Sequence, residues 1–407
     1  MKQFGPDCWN PRFSHVYVEE AVAGHPRTQG ILAKLGDPEP VLVAHYKDVF
    51  CRRGQDRAMQ RQSRKLILAA KKAPFLYPAS DLCDAFGHPH FFYSSNAMNC
   101  LYDCEYCYLQ GLYPSAHLVV FVNVDDIFRE VDRELARHPV YLSNSYDTDL
   151  AALEGLTGLC AEWIGFARSR PDLTLEIRTK SAGTSLIRSV EPASNVILAW
   201  SVSPQGIASA FEHGTPSVSA RIGAMRQAID EGWKVRLCVD PMIRTPDWKS
   251  QYASLIRSIR TRIRPDEFYE HSVGVFRVPA DSLRTMRRIR PESAVLAYPF
   301  ARTADAGPDV RQGNDENENN DKKDRMHCTD DEEQGIAKII GMEKKEKKEK
   351  EKAKKNGKAK STIACSYPDD EAEEMIRFVE TCLWTETEGT VKTSDDLPGM
   401  RQPEGIW

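Results

Sequence analysis

The chain has 407 residues, a hydrophobic fraction of 41% and a formal net charge of −4. This length is enough for one large α/β domain with appendages, or for two ordinary domains. A charge near balance does not by itself indicate nucleic-acid binding, so any phosphate contact would have to come from a local basic patch.

Residues 1–89 are predicted to form an N-terminal subdomain of mixed structure. Its basic segment from Arg57 to Lys72 is predicted to be helical and carries the apolar residues Leu66, Ile67 and Leu68. No apolar run in the chain is long enough to span a bilayer, and we recognise no signal peptide. We therefore expect a soluble intracellular protein that is not in contact with a membrane.

Residues 90–302 alternate short apolar runs with amphipathic stretches, a pattern typical of parallel α/β domains. The predicted strands are Phe91–Ser94, Leu118–Val122, Val140–Leu142, Leu173–Arg178, Val196–Val202, Val235–Val239 and Val273–Phe276. The predicted helices are Asp125–His138, Leu150–Arg168, Ser219–Glu231 and Lys249–Ile263. About six units are fewer than the eight of a closed barrel, so we predict a partial (β/α)6 TIM-type barrel. Functional groups should then lie at the carboxyl ends of its strands.

Residues 303–360 have a different composition, because Asn314–Asp324 is acidic and amidic and Glu343–Lys360 is nearly all lysine and glutamate. Such a segment cannot bury enough apolar surface to offset its chain entropy, so we predict a disordered charged insertion. Residues 361–407 are predicted to form a C-terminal helix and tail. The helix contains Met375, Ile376 and Phe378 and should pack on the barrel.

Three cysteines stand close together directly after the first predicted barrel strand. Cys100, Cys104 and Cys107 form a CxxxCxxC pattern on one short loop, and eleven cysteines in an intracellular chain predict reduced thiols. Three thiolates so placed can ligate three irons of a [4Fe-4S] cluster and leave the fourth iron open. S-adenosylmethionine can chelate that iron and, on receiving an electron from an external one-electron reductant, release a 5′-deoxyadenosyl radical.

Two other interpretations of the three cysteines remain. A zinc knuckle would need a fourth ligand, and His88 and His90 are candidates just upstream. The cysteines could also be small buried residues of the core. A protein of either kind would be a non-catalytic zinc-binding or nucleic-acid-binding protein.

The loop and its surroundings resemble the spore photoproduct lyase family of the radical SAM superfamily. The residues that carry this resemblance extend from about Val41 to Trp248: they are His45–Phe50 with Arg53 and Gln55, Leu66–Ala69, Cys104–Gln110, Arg178–Ser181, and Phe211–Thr215 with Arg221 and Ile222. The resemblance implies a partial TIM-type barrel that holds a [4Fe-4S] cluster and S-adenosylmethionine. It also implies reversal of a thymine-dimer lesion in damaged DNA.

Site residues follow from the resemblance position by position. Cys100, Cys104 and Cys107 would ligate iron, and Lys180 would pair with the methionyl carboxylate. Thr148 and Ser201 would lie near the methionyl group, and Tyr106 and Tyr108 would relay a hydrogen atom to the cofactor.

Each of these assignments has a plain structural alternative. Lys180 at a strand end can be an ordinary solvated lysine, and Tyr106 and Tyr108 can simply pack against the loop. Thr148 and Asp149 precede a predicted helix, where capping of the helix N-terminus is the default role of such residues.

The chain departs from the family pattern at two places. The segment Ser143–Asp149 lacks the cysteine that donates hydrogen in the family, and Tyr146 stands at about that position; Cys160, on the following helix, is interpreted as a core residue. The charged insertion occupies the region of the family's C-terminal hairpin, which wedges damaged bases out of the duplex. The nearby arginines could hold phosphates, although a solvated helix end is the favoured interpretation of the run; they are Arg284, Arg287, Arg288 and Arg290. A radical SAM enzyme acting on a different substrate is therefore a second hypothesis.

Overall fold

A computed structural model describes residues 13–79, 84–304 and 363–384 of the chain. Its strands are β1 (Val16–Glu19), β2 (Val41–Val43), β3 (Leu66–Ala69), β4 (Tyr77–Pro78), β5 (Phe91–Tyr93), β6 (Ala97–Met98), β7 (Asp103–Cys104), β8 (Leu118–Phe121), β9 (Val140–Ser143), β10 (Leu173–Thr179), β11 (Val196–Ser201), β12 (Glu212–His213), β13 (Lys234–Met242), β14 (Glu270–Val275), β15 (Arg277–Pro279), β16 (Ala301–Ala304) and β17 (Ile363–Ser366). Its α-helices are Pro26–Lys34, Lys47–Phe50, Arg57–Gln62, Leu109–Leu112, Val124–Leu135, Glu154–Thr157, Leu159–Arg168, Ser185–Ser189, Gln205–Phe211, Val218–Asp230, Trp248–Arg260, Ala280–Ile289, Ala294–Ala297 and Asp369–Trp384. Short 3-10 turns cover Glu20–Val22, Ala151–Leu153 and Pro265–Glu267.

The first sheet has five strands in the order β2-β1-β3-β8-β6, and its pairs are parallel except that between β6 and β8. The predicted helix from Arg57 to Lys72 is therefore wrong beyond Gln62, because Leu66–Ala69 forms strand β3 at the centre of this sheet. All four residues of β3 are buried. The sequence of a parallel strand that is covered on both faces is a continuous apolar run. The run Leu66–Ala69 is too short for its pattern to distinguish such a strand from a buried helical segment.

Leu118–Phe121 forms strand β8, but the strand does not belong to the barrel. It pairs in parallel with β3 in the first sheet, with Leu66 opposite Leu118 and Ala69 opposite Phe121. An apolar run of this length suits the interior of any parallel sheet, so its pairing partner depends on tertiary contacts.

The second sheet forms the partial barrel, with the strand order β14-β13-β11-β10-β9-β5-β4. The six strands from β5 to β14 in this sheet are parallel, and the short edge strand β4 is antiparallel to β5. The prediction of a six-stranded partial barrel is thereby confirmed. The predicted helix Leu150–Arg168 is interrupted before Leu159, where Gly158 adopts a positive φ of 69°.

The buried side chains form two clusters. The larger one fills the barrel wall and the layer of helices around it. The smaller one lies between the first sheet and the β4–β5 edge of the barrel and includes Ile67, Phe121, Tyr77 and Tyr93. The three-cysteine loop passes between these two cores, because Cys100 and Cys107 pack against both of them.

The helix Asp369–Trp384 packs against the helix Trp248–Arg260 and strand β14. Met375 and Val379 are fully buried, and the rings of Trp248 and Phe378 are 5.3 Å apart. The predicted packing of this helix on the barrel is therefore confirmed. Strands β16 and β17 pair with each other antiparallel; apart from its first two residues, the predicted insertion 303–360 lies outside the described residues. Within those residues, no helix has the length and apolar character needed to cross a membrane.

Candidate active site

The three-cysteine loop lies at the carboxyl end of the barrel strands. It follows β5, and its central strand β7 pairs antiparallel with β12, which comes after β11 and the helix Gln205–Phe211. The backbone N–H of Glu105 donates to the carbonyl of Phe211 over 2.8 Å. The predicted position of functional groups at this end of the barrel agrees with the structure.

The first half of the loop is held by two side chains that bind its backbone. Asn99 has a positive φ of 67°, and its Nδ2 donates to the carbonyls of Ser115 at 2.8 Å and His117 at 2.7 Å. The guanidinium of Arg64 donates to the carbonyls of Cys100 at 2.8 Å and Leu101 at 2.7 Å. Such bonds fix the direction of the chain on both sides of the Cys100 thiol.

The second half of the loop is tied to Arg290. Gln110 Nε2 donates to the carbonyl of Cys104 at 2.7 Å, and Gln110 Oε1 accepts from Arg290 Nε at 2.7 Å. Arg290 also forms an ion pair with Asp103 at 2.5 Å and is buried. This arginine therefore supports the loop, so it is not available to hold a phosphate at the surface.

The other arginines of the predicted basic run differ from Arg290. Arg284 is exposed and pairs with Asp281 at 3.2 Å, and Arg287 donates to the carbonyls of Leu296 and Tyr298. These contacts agree with the interpretation of this run as the solvated end of the helix Ala280–Ile289.

The three loop thiols are surrounded by protein and influence one another. Burial raises the pKa of Cys100 to about 12, with further contributions from Asp149 and Cys107. Burial also raises the pKa of Cys104 well above its usual value, an effect that Glu212 adds to and Lys180 opposes. A thiol must lose its proton to bind metal, so in this environment the metal itself has to supply the compensating positive charge.

The three thiols match the number of protein ligands of a [4Fe-4S] cluster with one open iron. Across residues 13–79, 84–304 and 363–384, no three His, Cys, Asp or Glu side chains converge on one point as ligands of a single metal ion. In a [4Fe-4S] cluster each thiolate binds a different iron, so the three sulfur atoms do not need to converge.

The candidate zinc ligands lie away from the loop. His90 stacks on His138 with a ring distance of 3.7 Å, and His88 stacks on Tyr141 at 4.5 Å. Both histidines precede β5, and the backbone N–H of Tyr141 at the start of β9 donates to the His90 carbonyl. They therefore lie at the amino ends of the strands, whereas the cysteines follow the carboxyl ends.

Lys180 follows directly after β10 and is 15% exposed, so it is not a freely solvated lysine. Its ammonium lies 3.4 Å from Glu212 Oε1 and 5.7 Å from the centre of the Tyr106 ring. It opposes the rise in the pKa of both Cys104 and Cys107. Its positive charge therefore lies within electrostatic reach of the thiols.

Glu212 connects the separate parts of the site. Its side chain is fully buried and accepts hydrogen bonds from Tyr106, from Ser203 at 3.0 Å and from Arg221 Nη2 at 2.6 Å. Burial alone would raise the pKa of this carboxyl, but Lys180 and Arg221 lower it to about 2. Glu212 is therefore a permanent anion that holds the hydroxyl of Tyr106 and the ammonium of Lys180.

Thr148 and Asp149 have different roles at the end of β9. Asp149 accepts from the backbone N–H of Ala152 at 3.0 Å, the expected capping contact, and from the N–H of Lys180 at 2.6 Å. The hydroxyl of Thr148 is buried and has no hydrogen-bond partner within the described residues. Ser201 at the end of β11 is also buried, and its carbonyl accepts from Arg221 at 3.3 Å.

Tyr108 and Tyr146 are in contact. The hydroxyl of Tyr108 donates to the backbone carbonyl of Tyr146 over 2.7 Å, and their rings are 5.7 Å apart. Tyr146 also stacks on Tyr93 with a ring distance of 4.2 Å. Cys160 is fully buried in the larger core, as interpreted from the sequence.

Sequence reasoning assigned no role to Glu212 or Arg221, although both lie in segments that it singled out. A carboxylate two residues before a glycine is an ordinary surface pattern. The signal of function is the convergence of Tyr106, Lys180 and Arg221 on that carboxylate, and these residues are distant in the sequence.

A partial barrel of six parallel strands, with a CxxxCxxC loop at their carboxyl ends and a lysine beside the thiols, is an arrangement typical of the radical SAM superfamily. Residues 91–276 match the model of the family described as spore photoproduct lyase. The match covers a little under half of the chain, and over that region the chain is similar to this family.

Two curated relatives carry the name spore photoproduct lyase. The one from Geobacillus sp. (strain Y412MC61) is 26% identical over 171 residues, which cover 41% of this chain and 50% of the relative. The one from Clostridium acetobutylicum is 22% identical over 174 residues, which cover 41% of this chain and 51% of the relative. The chain thus spans about half the length of the curated relatives it matches.

Solved structures share the fold over a longer part of the chain. A spore photoproduct lyase mutant with bound AdoMet and dinucleoside spore photoproduct has a TM-score of 0.66 at 17% identity and covers 91% of this chain and 95% of its own. A second mutant, with dinucleoside spore photoproduct, has a TM-score of 0.67 at the same identity and the same coverage. At this identity the likeness establishes the fold.

Proposed function

We propose that this chain is a radical SAM lyase that uses a [4Fe-4S] cluster and S-adenosylmethionine to reverse a thymine-dimer lesion in damaged DNA. The observation that carries the proposal is the set of three loop thiols beside the Lys180 ammonium at the carboxyl end of the barrel. The family match, and the AdoMet and dinucleoside lesion bound in a structural neighbour, support the choice of cofactor and substrate.

The residues present suit this cofactor pair. Cys100, Cys104 and Cys107 would hold the cluster, and Lys180 would pair with the methionyl carboxylate of S-adenosylmethionine. The buried Thr148 hydroxyl, which has no hydrogen-bond partner in the part of the chain that the structure describes, offers a polar contact for the methionyl group, and Ser201 lies at the end of strand β11. When bound, the pair supplies a carbon-centred radical able to abstract hydrogen from unactivated carbon, after an external reductant has delivered one electron.

The tyrosines around the loop would handle the hydrogen atom. Tyr146 stands at the position of the family's donor cysteine and would give its phenolic hydrogen to the product radical. Tyr108, which contacts Tyr146, would pass hydrogen between Tyr146 and the cofactor. Tyr106, whose hydroxyl donates to Glu212, would belong to the same relay of hydrogen to the cofactor.

Anaerobic purification and reconstitution of the full chain test the proposal. We expect a brown protein with about four irons per chain, matched by sulfide. Reduced protein should release 5′-deoxyadenosine from S-adenosylmethionine, and DNA that contains spore photoproduct should increase that release and be repaired to thymine. A chain that binds a single zinc and releases no 5′-deoxyadenosine would contradict the proposal.

Matched cysteine variants separate ligands from core residues. Cys104→Ala should lose iron and 5′-deoxyadenosine formation together. Cys160→Ala removes another buried thiol, in the helix Leu159–Arg168, and should retain both.

A radical SAM enzyme that acts on a different substrate is the second candidate. The observation that favours it is Tyr146 in place of the donor cysteine. Formation of 5′-deoxyadenosine without any repair of the lesion would support this candidate over the first.

A further inference from the structure

The smaller core contains an unusual number of tyrosines. Of the 14 tyrosines in the chain, seven lie in this core or pack against it: Tyr17, Tyr46, Tyr77, Tyr93, Tyr108, Tyr113 and Tyr146. A phenylalanine fills such a space without placing a hydroxyl away from water, which is costly unless the hydroxyl is used. Three of the seven, Tyr77, Tyr93 and Tyr113, are buried, and the arrangement of the rings suggests a role in addition to packing.

Four of these tyrosines form a continuous row that starts at the cysteine loop. The ring centres are 5.7 Å apart between Tyr108 and Tyr146, 4.2 Å between Tyr146 and Tyr93, and 5.2 Å between Tyr93 and Tyr77. The last two pairs are stacked, with interplanar angles of 21° and 22°. The row thus runs from the loop, past the proposed hydrogen donor, to the edge strand β4.

The far end of the row is polar, although it is buried. Lys71 is 7% exposed, and its ammonium lies 2.8 Å from the hydroxyl of Tyr77. The same ammonium lies over the rings of Tyr77 and Phe121, at 5.0 and 5.4 Å from their centres. The ammonium fixes the position of the Tyr77 hydroxyl at the end of the row.

A carboxylate stands beside the row. Asp147 is 1% exposed; its Oδ2 accepts from Ser95, and its Oδ1 has no hydrogen-bond partner within the described residues. The Tyr113 hydroxyl is also buried without a partner there, and Asp147 acts on it electrostatically. The two groups lie close enough for a hydrogen bond from Tyr113 to lower the pKa of Asp147, against the larger effect of burial.

We propose that Tyr93 and Tyr77 extend the route from Tyr108 to Tyr146, so that the row as a whole holds the oxidising equivalent left on Tyr146. This inference rests on the proposed function, which generates the product radical that takes hydrogen from Tyr146. It assigns Tyr93 and Tyr77 a role in the reaction that the family resemblance does not include.

The steps balance as transfers of hydrogen atoms. The O–H bond of Tyr146 breaks as the C–H bond of the product forms, which leaves a phenoxyl radical on Tyr146. The O–H bond of Tyr93 then breaks as the O–H bond of Tyr146 forms again. In the last step, the O–H bond of Tyr77 breaks as the O–H bond of Tyr93 forms again. Each exchange joins like side chains, so it conserves electrons and protons, and the Lys71 ammonium makes Tyr77 harder to oxidise than Tyr93, which favours return of the oxidising equivalent. The equivalent can therefore return to Tyr146 and leave through Tyr108.

The test places 3-aminotyrosine, which is more easily oxidised than tyrosine, at position 146, 93 or 77 of the full chain. Each reconstituted protein is mixed with S-adenosylmethionine, dithionite and dinucleoside spore photoproduct, then frozen and examined by electron paramagnetic resonance. The control is 3-aminotyrosine at position 252, because Tyr252 is fully buried but lies outside the row. We expect the aminotyrosyl signal at positions 93 and 77 to be several-fold above that of the control.

Tyr93→Phe tests the order of the row, because it keeps the stacked ring and removes the hydroxyl. Combined with 3-aminotyrosine at position 77, it should abolish the signal there; combined with 3-aminotyrosine at position 146, it should leave the signal. A melting temperature near that of the wild-type chain shows that the variant is folded.

The two possible failures can be distinguished. A wild-type chain that releases no 5′-deoxyadenosine overturns the proposed function and this inference with it. Release of 5′-deoxyadenosine with a signal at position 146, but none above the control at positions 93 and 77, overturns the inference alone. A signal at position 77 that survives Tyr93→Phe also overturns it.

Discussion

Replacement of Glu212 by glutamine tests whether one buried anion holds the site together. The variant keeps the shape of the side chain and removes its charge. Arg221, with a side chain that is 0% exposed, then lies in the interior without its counter-ion at 2.6 Å, and Lys180 loses its partner at 3.4 Å. Breaking a buried ion pair by removing one partner costs about 3–5 kcal/mol.

The pKa of Glu212 gives an independent magnitude. Its value is lowered from the ordinary 4.5 to about 2, chiefly by Lys180 and Arg221, which overcome the opposing effect of burial. At roughly 1.4 kcal/mol for each factor of ten, the ionised carboxyl contributes about 3 kcal/mol to the free energy of unfolding. Because the folded-state pKa is lowered, this contribution is fully present above pH 4.5 and is lost as the pH falls towards 2.

The assay is urea unfolding of the wild-type and Glu212→Gln proteins at neutral pH and at about pH 3. We expect the variant to be about 3 kcal/mol less stable at neutral pH, with a Tm lower by roughly 5–10 °C. The difference should shrink at the lower pH. The control is Glu130→Gln, which removes an exposed pair with Arg133 at 2.6 Å and should change stability by about 1 kcal/mol or less. A Glu212→Gln protein as stable as this control would refute the reasoning.

Three further predictions concern stability. Met375→Ala removes a fully buried side chain from the C-terminal helix and should cost about 2–5 kcal/mol in denaturant unfolding, whereas the exposed Glu373→Ala should cost little. Burial raises the pKa of Asp147 from 3.8 to about 6, so the folded chain loses stability relative to the unfolded chain as the pH rises through this range. The stability of Asp147→Asn relative to wild type should therefore rise by up to about 3 kcal/mol between pH 4 and pH 7. A difference that does not change with pH would contradict this. Gly111→Ala should cost about 1–3 kcal/mol, because its Cβ would lie 2.7 Å from the backbone of the neighbouring helix, while Gly165→Ala, which has open space, should be neutral or stabilising by thermal melting.

The sequence could predict those parts of the site that are local. Cys100, Cys104 and Cys107 share one loop, so their spacing alone indicates a common metal site. The alternation of strands and helices is also predictable, because each apolar run is a local pattern of a few residues. Six of the predicted strands do form the barrel. Leu118–Phe121 shows where this kind of inference stops: the strand was predicted, but its membership of the first sheet depends on pairing with β3.

What only the tertiary structure decided is which distant residues meet. Glu212 contacts Tyr106, Lys180 and Arg221 because β7 pairs with β12 and because β10 and β11 end side by side. The row from Tyr108 to Tyr77 likewise exists because the first sheet packs against the barrel edge that carries β4 and β5. The energies of such contacts come from burial and from charges brought together by the fold, and the pattern of residues along the chain contains neither.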